Sequence, residues 1–400
     1  MLKHHNALGV ALALRPTQPL TLVRPHAAMR AARFFAEKFP GTSMYAVKSN
    51  PAPELIRTLW DAGVTHFDVA SIAEVRLVRA VAPNATLCFM HPVKGPEAIA
   101  EAYHQHGVRV FSLDSTAELD KIVAATARDG VPATDLTLCV RLRVSSQHSK
   151  LSLASKFGVA ADEAAPVLMA ARQVADALGV CFHVGSQAMS PQAYGDALAQ
   201  VRAAIVSAGV TVDIVDVGGG FPSVYPGMVP PALEAYFEVI HRGFESLPVS
   251  YSAELWCEPG RALCAEYASV LVRVEARKDD VLYINDGAYG ALFDAAHIDW
   301  RFPVRLVRED GSRAREMEFS FWGPTCDDMD FMRGPFALPA DIQAGDYIEI
   351  GMLGAYGQAM RTGFNGFTAG ETVLVTDDPM ATAYAVTEES PDRVIQLRQN

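Results

Sequence analysis

No run of eighteen apolar residues occurs in the 400-residue sequence, so no stretch of it reads as a membrane-spanning helix. The start, Met1-Leu2-Lys3-His4-His5-Asn6 and a short apolar stretch, lacks a small-residue cleavage site, and the protein is expected in the cytoplasm. Cys-x-x-Cys pairs are missing as well. Of the six cysteines, Cys88, Cys139, Cys181, Cys257 and Cys264 fall in apolar runs, so neither a zinc site nor a disulfide framework is expected and no metal is assigned. Only Cys326 stands in a polar, turn-like stretch, Gly323-Pro324-Thr325-Cys326-Asp327-Asp328. An excess of positive charge is also lacking. Lys and Arg number 34 against 46 Asp and Glu, a net charge of -12 that disfavours nucleic acid and anionic membranes as partners. Repeats, low-complexity tracts and long linkers are absent. What is present, 50% hydrophobic and 20% charged residues, excludes disorder for most of the chain.

Between residues 40 and 260 short β-type runs alternate with segments of helical period. The runs are Met44-Val47, His66-Val69, Thr86-Met90, Val108-Leu113, Leu136-Val144, Cys181-Val184, Asp213-Val217 and Tyr251-Cys257. Eight strand-then-helix units predict an α/β fold of the closed (β/α)8, TIM-type kind. From about residue 267 the pattern changes to strands and turns: Ser269-Val274, Val281-Asn285, Pro303-Val307, Met317-Phe321, Tyr347-Gly351, Thr372-Val375 and Val394-Leu397. The reading is a barrel over residues 23–267 and a C-terminal all-β domain over 268–400 together with 1–22. The run Thr21-Val23 either pairs with that β domain or leads into the barrel.

Active sites of such barrels lie at the C-terminal ends of the strands, and reactive side chains do collect there. Lys48 closes the first run in Tyr45-Ala46-Val47-Lys48-Ser49-Asn50, where desolvation would lower its pKa and favour Schiff-base chemistry. Asp68, His91, Arg141 and His183 stand at or near the ends of the second, third, fifth and sixth runs. Each alone also reads as an exposed or satisfied polar group. The seventh run ends in Asp216-Val217-Gly218-Gly219-Gly220, whose glycines let backbone N–H groups approach a phosphate. The eighth leads into Glu258-Pro259-Gly260-Arg261, a carboxylate and a guanidinium. A lysine, a phosphate cradle, an arginine and a carboxylate for a pyridinium nitrogen are the parts that pyridoxal 5'-phosphate requires.

These residues resemble the barrel-type (fold-type III, alanine-racemase-like) pyridoxal-phosphate decarboxylases that act on ornithine, lysine, arginine and diaminopimelate. The resemblance spans nearly the whole chain. Besides the stretches above it rests on Phe67-Asp68-Val69-Ala70-Ser71, Ser155-Lys156-Phe157-Gly158, His183-Val184-Gly185-Ser186 and Gly218-Gly219-Gly220-Phe221-Pro222. In the β domain it continues through Asn285-Asp286-Gly287-Ala288-Tyr289-Gly290, Trp322-Gly323-Pro324-Thr325-Cys326-Asp327, Gly354-Ala355-Tyr356 and Phe364-Asn365-Gly366-Phe367. The resemblance implies that Lys48 is the aldimine lysine, His183 the imidazole stacked on the cofactor ring and Glu258 the partner of the pyridine nitrogen. It further implies phosphate contacts from Ser186, Gly220, Arg261 and Tyr356, and cofactor contacts from Gly219 and Gly260, with Asp68, Arg141 and Glu74 in support. The partner subunit's Cys326 would reprotonate the substrate carbon after a quinonoid forms, and Asp327 would bind the distal ammonium, which implies a homodimer with shared sites.

Substrate choice turns on Asp327, on Asp294 in Leu292-Phe293-Asp294-Ala295-Ala296-His297, and on Tyr289. Cys326-Asp327 resembles the ornithine type, and a second anion at the distal end favours an ammonium over a carboxylate. Gln187, after His183-Val184-Gly185-Ser186, resembles bacterial enzymes that also take lysine, and one methylene is worth only about 1–3 kcal/mol. The expectation is decarboxylation of L-ornithine to putrescine in polyamine biosynthesis. The alternative is a bifunctional lysine/ornithine decarboxylase that also makes cadaverine. Arginine or diaminopimelate decarboxylation, amino-acid racemisation and a non-catalytic regulatory homologue rank below these.

Overall fold

The structure is a computed structural model that describes residues 3–368 and 370–384. The chain divides into two compact units. One holds residues 32–222 and 230–262; the other holds the N-terminal residues to 31, residues 223–229 and the chain from 263 onward.

The first unit is built on eight parallel strands: β1 (Thr42–Ala46), β2 (His66–Val69), β3 (Thr86–Phe89), β4 (Val110–Leu113), β5 (Thr137–Arg143), β6 (Ala177–Cys181), β7 (Ile214–Asp216) and β8 (Glu254–Cys257). Each pairs with the next in the chain, and β8 returns to β1 through Trp256 opposite Thr42 and Cys257 opposite Ser43. The expected closed barrel is therefore present. Its seam is tight. A Cβ on Gly41 would lie 2.1 Å from the Leu255 carbonyl oxygen, so only glycine lets the two strands meet at that point. Met44, Cys88, Met90, Val110, Cys139, Cys181, Ile214 and Trp256 fill the interior as one apolar cluster, consistent with alternating inward-facing positions on the strands.

Local sequence explains the crossover helices. Ser71 and Ser115 follow β2 and β4, and their side chains accept from the Glu74 and Glu118 N–H groups to cap Ile72–Val81 and Thr116–Thr126. The sixth strand differs from expectation, since it spans Ala177–Cys181 and stops short of His183. Gly179 masks it in the sequence, because glycine usually weakens a strand. Here a side chain would run into Cys139 Sγ on β5 at 2.6 Å.

The second unit is mostly sheet. Its long strand, Ala268–Lys278, pairs with Tyr347–Ile350 and Val281–Ile284, and also with Leu20–Val23. The early run thus belongs with the β strands, where Thr372–Val375 lies parallel to it. The strand Phe331–Pro339 is absent from the sequence reading because Gly334-Pro335 in its middle resembles a turn. The run Val394-Leu397 lies outside the described residues. Among the described residues no helix is long and apolar enough to cross a membrane.

One buried ion cluster ties this unit together. Arg24, 2% exposed, meets Glu349 Oε1 and Asp377 Oδ1 at 2.8 Å each and donates to Ser269 Oγ at 2.8 Å. Arg305 reaches the same two carboxylates from Val304–Val307. Burial alone would raise the Glu349 pKa, but Arg24 and Arg305 override it and hold the carboxyl below its ordinary 4.5. Replacing Arg24 by Met strands two acids on a single arginine. Arg24→Met should cost about 3–5 kcal/mol, read as a lower urea midpoint at neutral pH. Because the folded pKa is depressed, the stabilisation from Glu349 is complete above pH 4.5 and is lost as pH falls through the folded value, so the wild-type midpoint should drop on acidification below that range.

Candidate active site

The ends of the barrel strands and the turns that follow them carry a group of charged and ring side chains. Lys48 sits in a 3-10 turn, Val47–Ser49, directly after β1. Its ammonium meets Asp68 Oδ2 at 2.7 Å, and its side chain is 40% exposed while that of Asp68 is buried. An ion pair, rather than the expected desolvation, is what this site offers the lysine. Arg141 lies on β5, and His183 follows β6 by two residues. Burial, Arg141 and Lys48 together hold the His183 imidazole well below its usual pKa, so it is neutral at pH 7. Its Nδ1 accepts the Gly185 N–H at 3.0 Å, which leaves the ring proton on Nε2. His91, after β3, is likewise lowered by burial and by Lys94, Lys156, Lys48 and Arg141. Glu74 is raised by burial, and its carboxylate accepts the Ala70 N–H at 2.6 Å.

The glycine turn after β7 threads between the turns that follow β6 and β8. Gly218 accepts the Glu258 N–H at 2.8 Å, Gly219 accepts the Tyr194 hydroxyl at 3.0 Å, and Gly220 accepts the Ala188 N–H at 2.9 Å. Gly220 has φ +105, and a Cβ there would lie 2.5 Å from the Gly185 carbonyl oxygen. A Cβ on Gly219 would fall 2.8 Å from the Glu258 carbonyl oxygen and 3.0 Å from His183 Nε2. The glycines therefore let three turns pack more closely than any side chain would allow. Arg261 opens the helix Arg261–Cys264 and reaches Ser186 Oγ at 3.5 Å, while Gly260 packs on Ser49 of the Lys48 turn and on Ala46 at the end of β1. Glu258 is buried, and burial with the neighbouring Asp216 and Asp68 charges pushes its carboxyl well above the ordinary range.

A glycine turn, a neutral imidazole, a guanidinium, an amine and a buried carboxyl are a set of groups that fits pyridoxal phosphate. The fit includes a buried acceptor, Asp216 Oδ2, with no hydrogen-bond donor among the described residues.

Other expected site residues lie in the second unit. The Tyr289 hydroxyl donates to Asp327 Oδ2 at 2.5 Å, and the Cys326 N–H donates to Asn365 Oδ1 at 3.1 Å. The Met329 N–H and the Tyr289 hydroxyl lower the Asp327 pKa, so this carboxylate is ionised at neutral pH. Cys326 is exposed, in contrast to the five buried cysteines, and opens with Asp327 on a cavity of about 830 Å³ lined also by Asn285, Trp322 and Phe367. Asp294 lies on the short helix Phe293–His297, and Tyr356 adopts φ +64. Tyr289, Cys326 and Asp327 are thus brought together.

Three residues received no role from the sequence. Asp216 was visible only as the start of a glycine motif. Lys94 is buried, with Nζ 3.0 Å from Glu118 and 2.9 Å from the His91 carbonyl oxygen; burial pushes its pKa down to about 8 although the Glu118 carboxylate opposes the shift. Its only signal was a lysine soon after a strand end. Asn365 fixes Cys326 from 39 residues away, a tie that no local pattern announces.

The profile "Pyridoxal-dependent decarboxylase, pyridoxal binding domain" matches residues 26–265. The lysine/ornithine decarboxylase of Selenomonas ruminantium is 31% identical over 84% of this chain and 84% of its own length. The ornithine decarboxylase of Panagrellus redivivus is 32% identical over 84% of this chain and 80% of its own, and antizyme inhibitor 2 of Xenopus laevis 30% over 81% and 73%. Among solved structures, an SrLDC complex with PLP superposes with TM-score 0.81 at 28% identity, covering 94% of this chain and 96% of that one. The Paramecium bursaria Chlorella virus arginine decarboxylase bound to agmatine gives 0.80 at 26% identity, covering 92% and 98%. The Vibrio vulnificus lysine/ornithine decarboxylase complexed with putrescine gives 0.77 at 28%, covering 93% and 99%.

Substituting Gly220 tests the cradle without removing a polar group. Gly220→Ala should weaken pyridoxal-phosphate binding about tenfold or more, by fluorescence titration, while the far-ultraviolet dichroism stays that of the parent. Parental affinity would show that this turn does not bear on the cofactor.

Proposed function

The chain belongs to the pyridoxal-dependent decarboxylase family, and from that membership we propose that it removes carbon dioxide from L-ornithine to give putrescine, with L-lysine as a second substrate. Its cofactor is pyridoxal 5'-phosphate, which when bound supplies the electron sink for the carbanion left by departing carbon dioxide. In this proposal Lys48 carries the cofactor, and Asp68 holds that lysine in place through the 2.7 Å ion pair. Neutral His183 lies against the ring, Glu258 faces the pyridine nitrogen, and Arg141 with Asp68 supports them. Backbone amides of Gly219 and Gly220, with Ser186, Gly260, Arg261 and Tyr356, hold the phosphate.

The observation that carries the substrate reading is the carboxylate of Asp327, kept ionised and fixed by Tyr289 beside the exposed thiol of Cys326. An anion so placed attracts a distal ammonium and repels a distal carboxylate. The Cys326 thiol delivers its proton to the substrate Cα once the carboxylate has left. Cys326, Asp327 and Tyr289 serve the barrel of a second copy of the chain, so the working unit in this proposal is a homodimer. Asp294 is a further anion for the same ammonium. The similarity to antizyme inhibitor 2 makes a regulatory protein the second reading; the presence of Lys48, His183, Glu258 and Cys326 supports the catalytic one.

Carbon dioxide release from L-ornithine, L-lysine, L-arginine and meso-diaminopimelate by the loaded protein tests the reading. Ornithine should give the highest kcat/KM, with lysine lower by about 10–200-fold at most. Dominant arginine or diaminopimelate turnover would overturn the substrate proposal, and no release from any would favour the regulatory reading. Asp327→Ala should lower kcat/KM for ornithine about a hundredfold, mainly through KM, and leave pyridoxal-phosphate affinity at the parental value.

A further inference from the structure

The glycine turn after β7 is held by its carbonyl oxygens. That of Gly218 accepts the Glu258 N–H at 2.8 Å, that of Gly219 the Tyr194 hydroxyl at 3.0 Å and that of Gly220 the Ala188 N–H at 2.9 Å. In a trans peptide the C=O of one residue and the N–H of the next point in opposite directions. Each tie therefore turns one amide the other way: Gly219, Gly220 and Phe221 in that order. None of these three N–H groups finds an acceptor among the described residues, although Gly219 and Phe221 are buried and Gly220 is half-buried. Buried N–H groups are almost always paired, so three in succession mark a place for an anion. The backbone agrees, since φ is positive at Gly218 and Gly220 (+67 and +105) and not at Gly219, the alternation that brings successive amides to one side.

Two of the three ties come from backbone, and Tyr194 alone is a side chain. Glycine is dictated at 219 and 220 by the carbonyl oxygens of Glu258 and Gly185, which lie 2.8 and 2.5 Å from where a Cβ would stand. The peptides between these glycines have no Cβ on either side to resist rotation about the flanking bonds, so each depends on an outside tie for its direction. Gly218–Gly219 is tied to the turn after β8, and Gly219–Gly220 is tied to Tyr194. Tyr194 is fully buried near the start of the helix Gln192–Ala208. Its ring stacks on Phe221 with centroids 5.1 Å apart and meets Tyr236 edge-on at 6.1 Å, so packing fixes where the hydroxyl stands. Burial pushes that hydroxyl well above its ordinary pKa, and it stays a donor throughout the neutral range.

We propose that Tyr194 is a positioning residue for the cofactor phosphate: by holding the Gly219 carbonyl oxygen it keeps the Gly220 N–H turned to the phosphate oxygens. It acts through the Gly219–Gly220 peptide rather than by touching the cofactor. Without the hydroxyl that peptide is free to reverse, which would present a carbonyl oxygen to the anion in place of an amide. The inference rests on the reading that this turn holds the phosphate and is independent of which amino acid is decarboxylated.

Tyr194→Phe removes the hydroxyl and keeps the stacked ring. Fluorescence titration of the stripped full-length chain with pyridoxal phosphate and with pyridoxal, the same ring without the phosphate, separates positioning from general support of the fold. The variant should bind pyridoxal phosphate about three- to tenfold more weakly, the span of one net hydrogen bond, and pyridoxal with parental affinity. Parental affinity for both, or equal weakening of both, would overturn the proposal. Gly220→Ala in the same two titrations tells which inference has failed. If it weakens pyridoxal phosphate selectively while Tyr194→Phe does not, the role of Tyr194 alone is lost; if neither variant is selective, the phosphate reading of the turn is lost with it. Should Tyr194→Phe fail to fold, amide hydrogen exchange in the parent decides. The Gly220 N–H should exchange more slowly with pyridoxal phosphate bound than with pyridoxal bound, and equal exchange in the two would refute the proposal.

Discussion

The seam between β8 and β1 is the contact on which the rest of the barrel site depends. Closing eight strands into a ring requires the last to pair with the first across more than two hundred residues of chain, and only two residue pairs do so. Gly41 makes the approach possible, and the seam continues past the strands through the Ala46 N–H on the Pro259 carbonyl oxygen. Lys48 follows β1 and Glu258 follows β8, so the same closure sets the lysine turn against the carboxyl turn. A sheet left open there would separate the proposed cofactor anchor from the proposed partner of its nitrogen.

Much of this was legible in the sequence, and the parts that were not have identifiable causes. Seven of the barrel runs overlap their strands because apolar residues bounded by turn signals leave a local mark; the sixth was displaced because the glycine that permits close strand packing is also a strand breaker by propensity. Phe331–Pro339 was hidden for a similar reason, by Gly334-Pro335. In the site, residue types at strand ends announced Lys48, His183 and Glu258, but the pairing of Lys48 with Asp68 is a property of neighbouring strands in register and could not be read from either segment. Asp216 was in plain view beside three glycines. That its second oxygen is buried with no donor among the described residues is a long-range fact.

Polar groups of the second unit are fixed with the same economy. Asp330 is buried and accepts from the Ala288 N–H at 2.7 Å and from both the N–H and the hydroxyl of Thr325, which pins the loop bearing Cys326 and Asp327 to the turn bearing Tyr289. Arg361 grips Asp286 with two nitrogens, at 3.1 and 2.7 Å, from the segment that carries Asn365. Burial raises the Asp286 pKa and Arg361 opposes that rise, so the pair secures the segment against the turn. An exposed cysteine and a half-buried carboxylate are therefore mounted on buried supports, which is what the proposed proton donor and charge-reading group need in order to keep one geometry.

The division of labour between the two units bears on how one barrel serves several substrates. Every barrel residue to which a role is assigned here bears on the cofactor, whereas the anions proposed to read the distal end of the substrate, Asp327 and Asp294, come from the second unit. Relatives named for ornithine, for lysine and ornithine, and for arginine all align with most of this chain at 26–32% identity. Changing the distal group of the substrate alters charge placement and length at one end only, while the groups around the ring see the same carboxylate leave. Under the proposed function the barrel need not change for that, and the loops around Tyr289 and Cys326 carry the difference. In that proposal Tyr289 is as much a part of specificity as Asp327, because a carboxylate free to rotate would accept an ammonium at several distances, and one held by a hydroxyl accepts it at one.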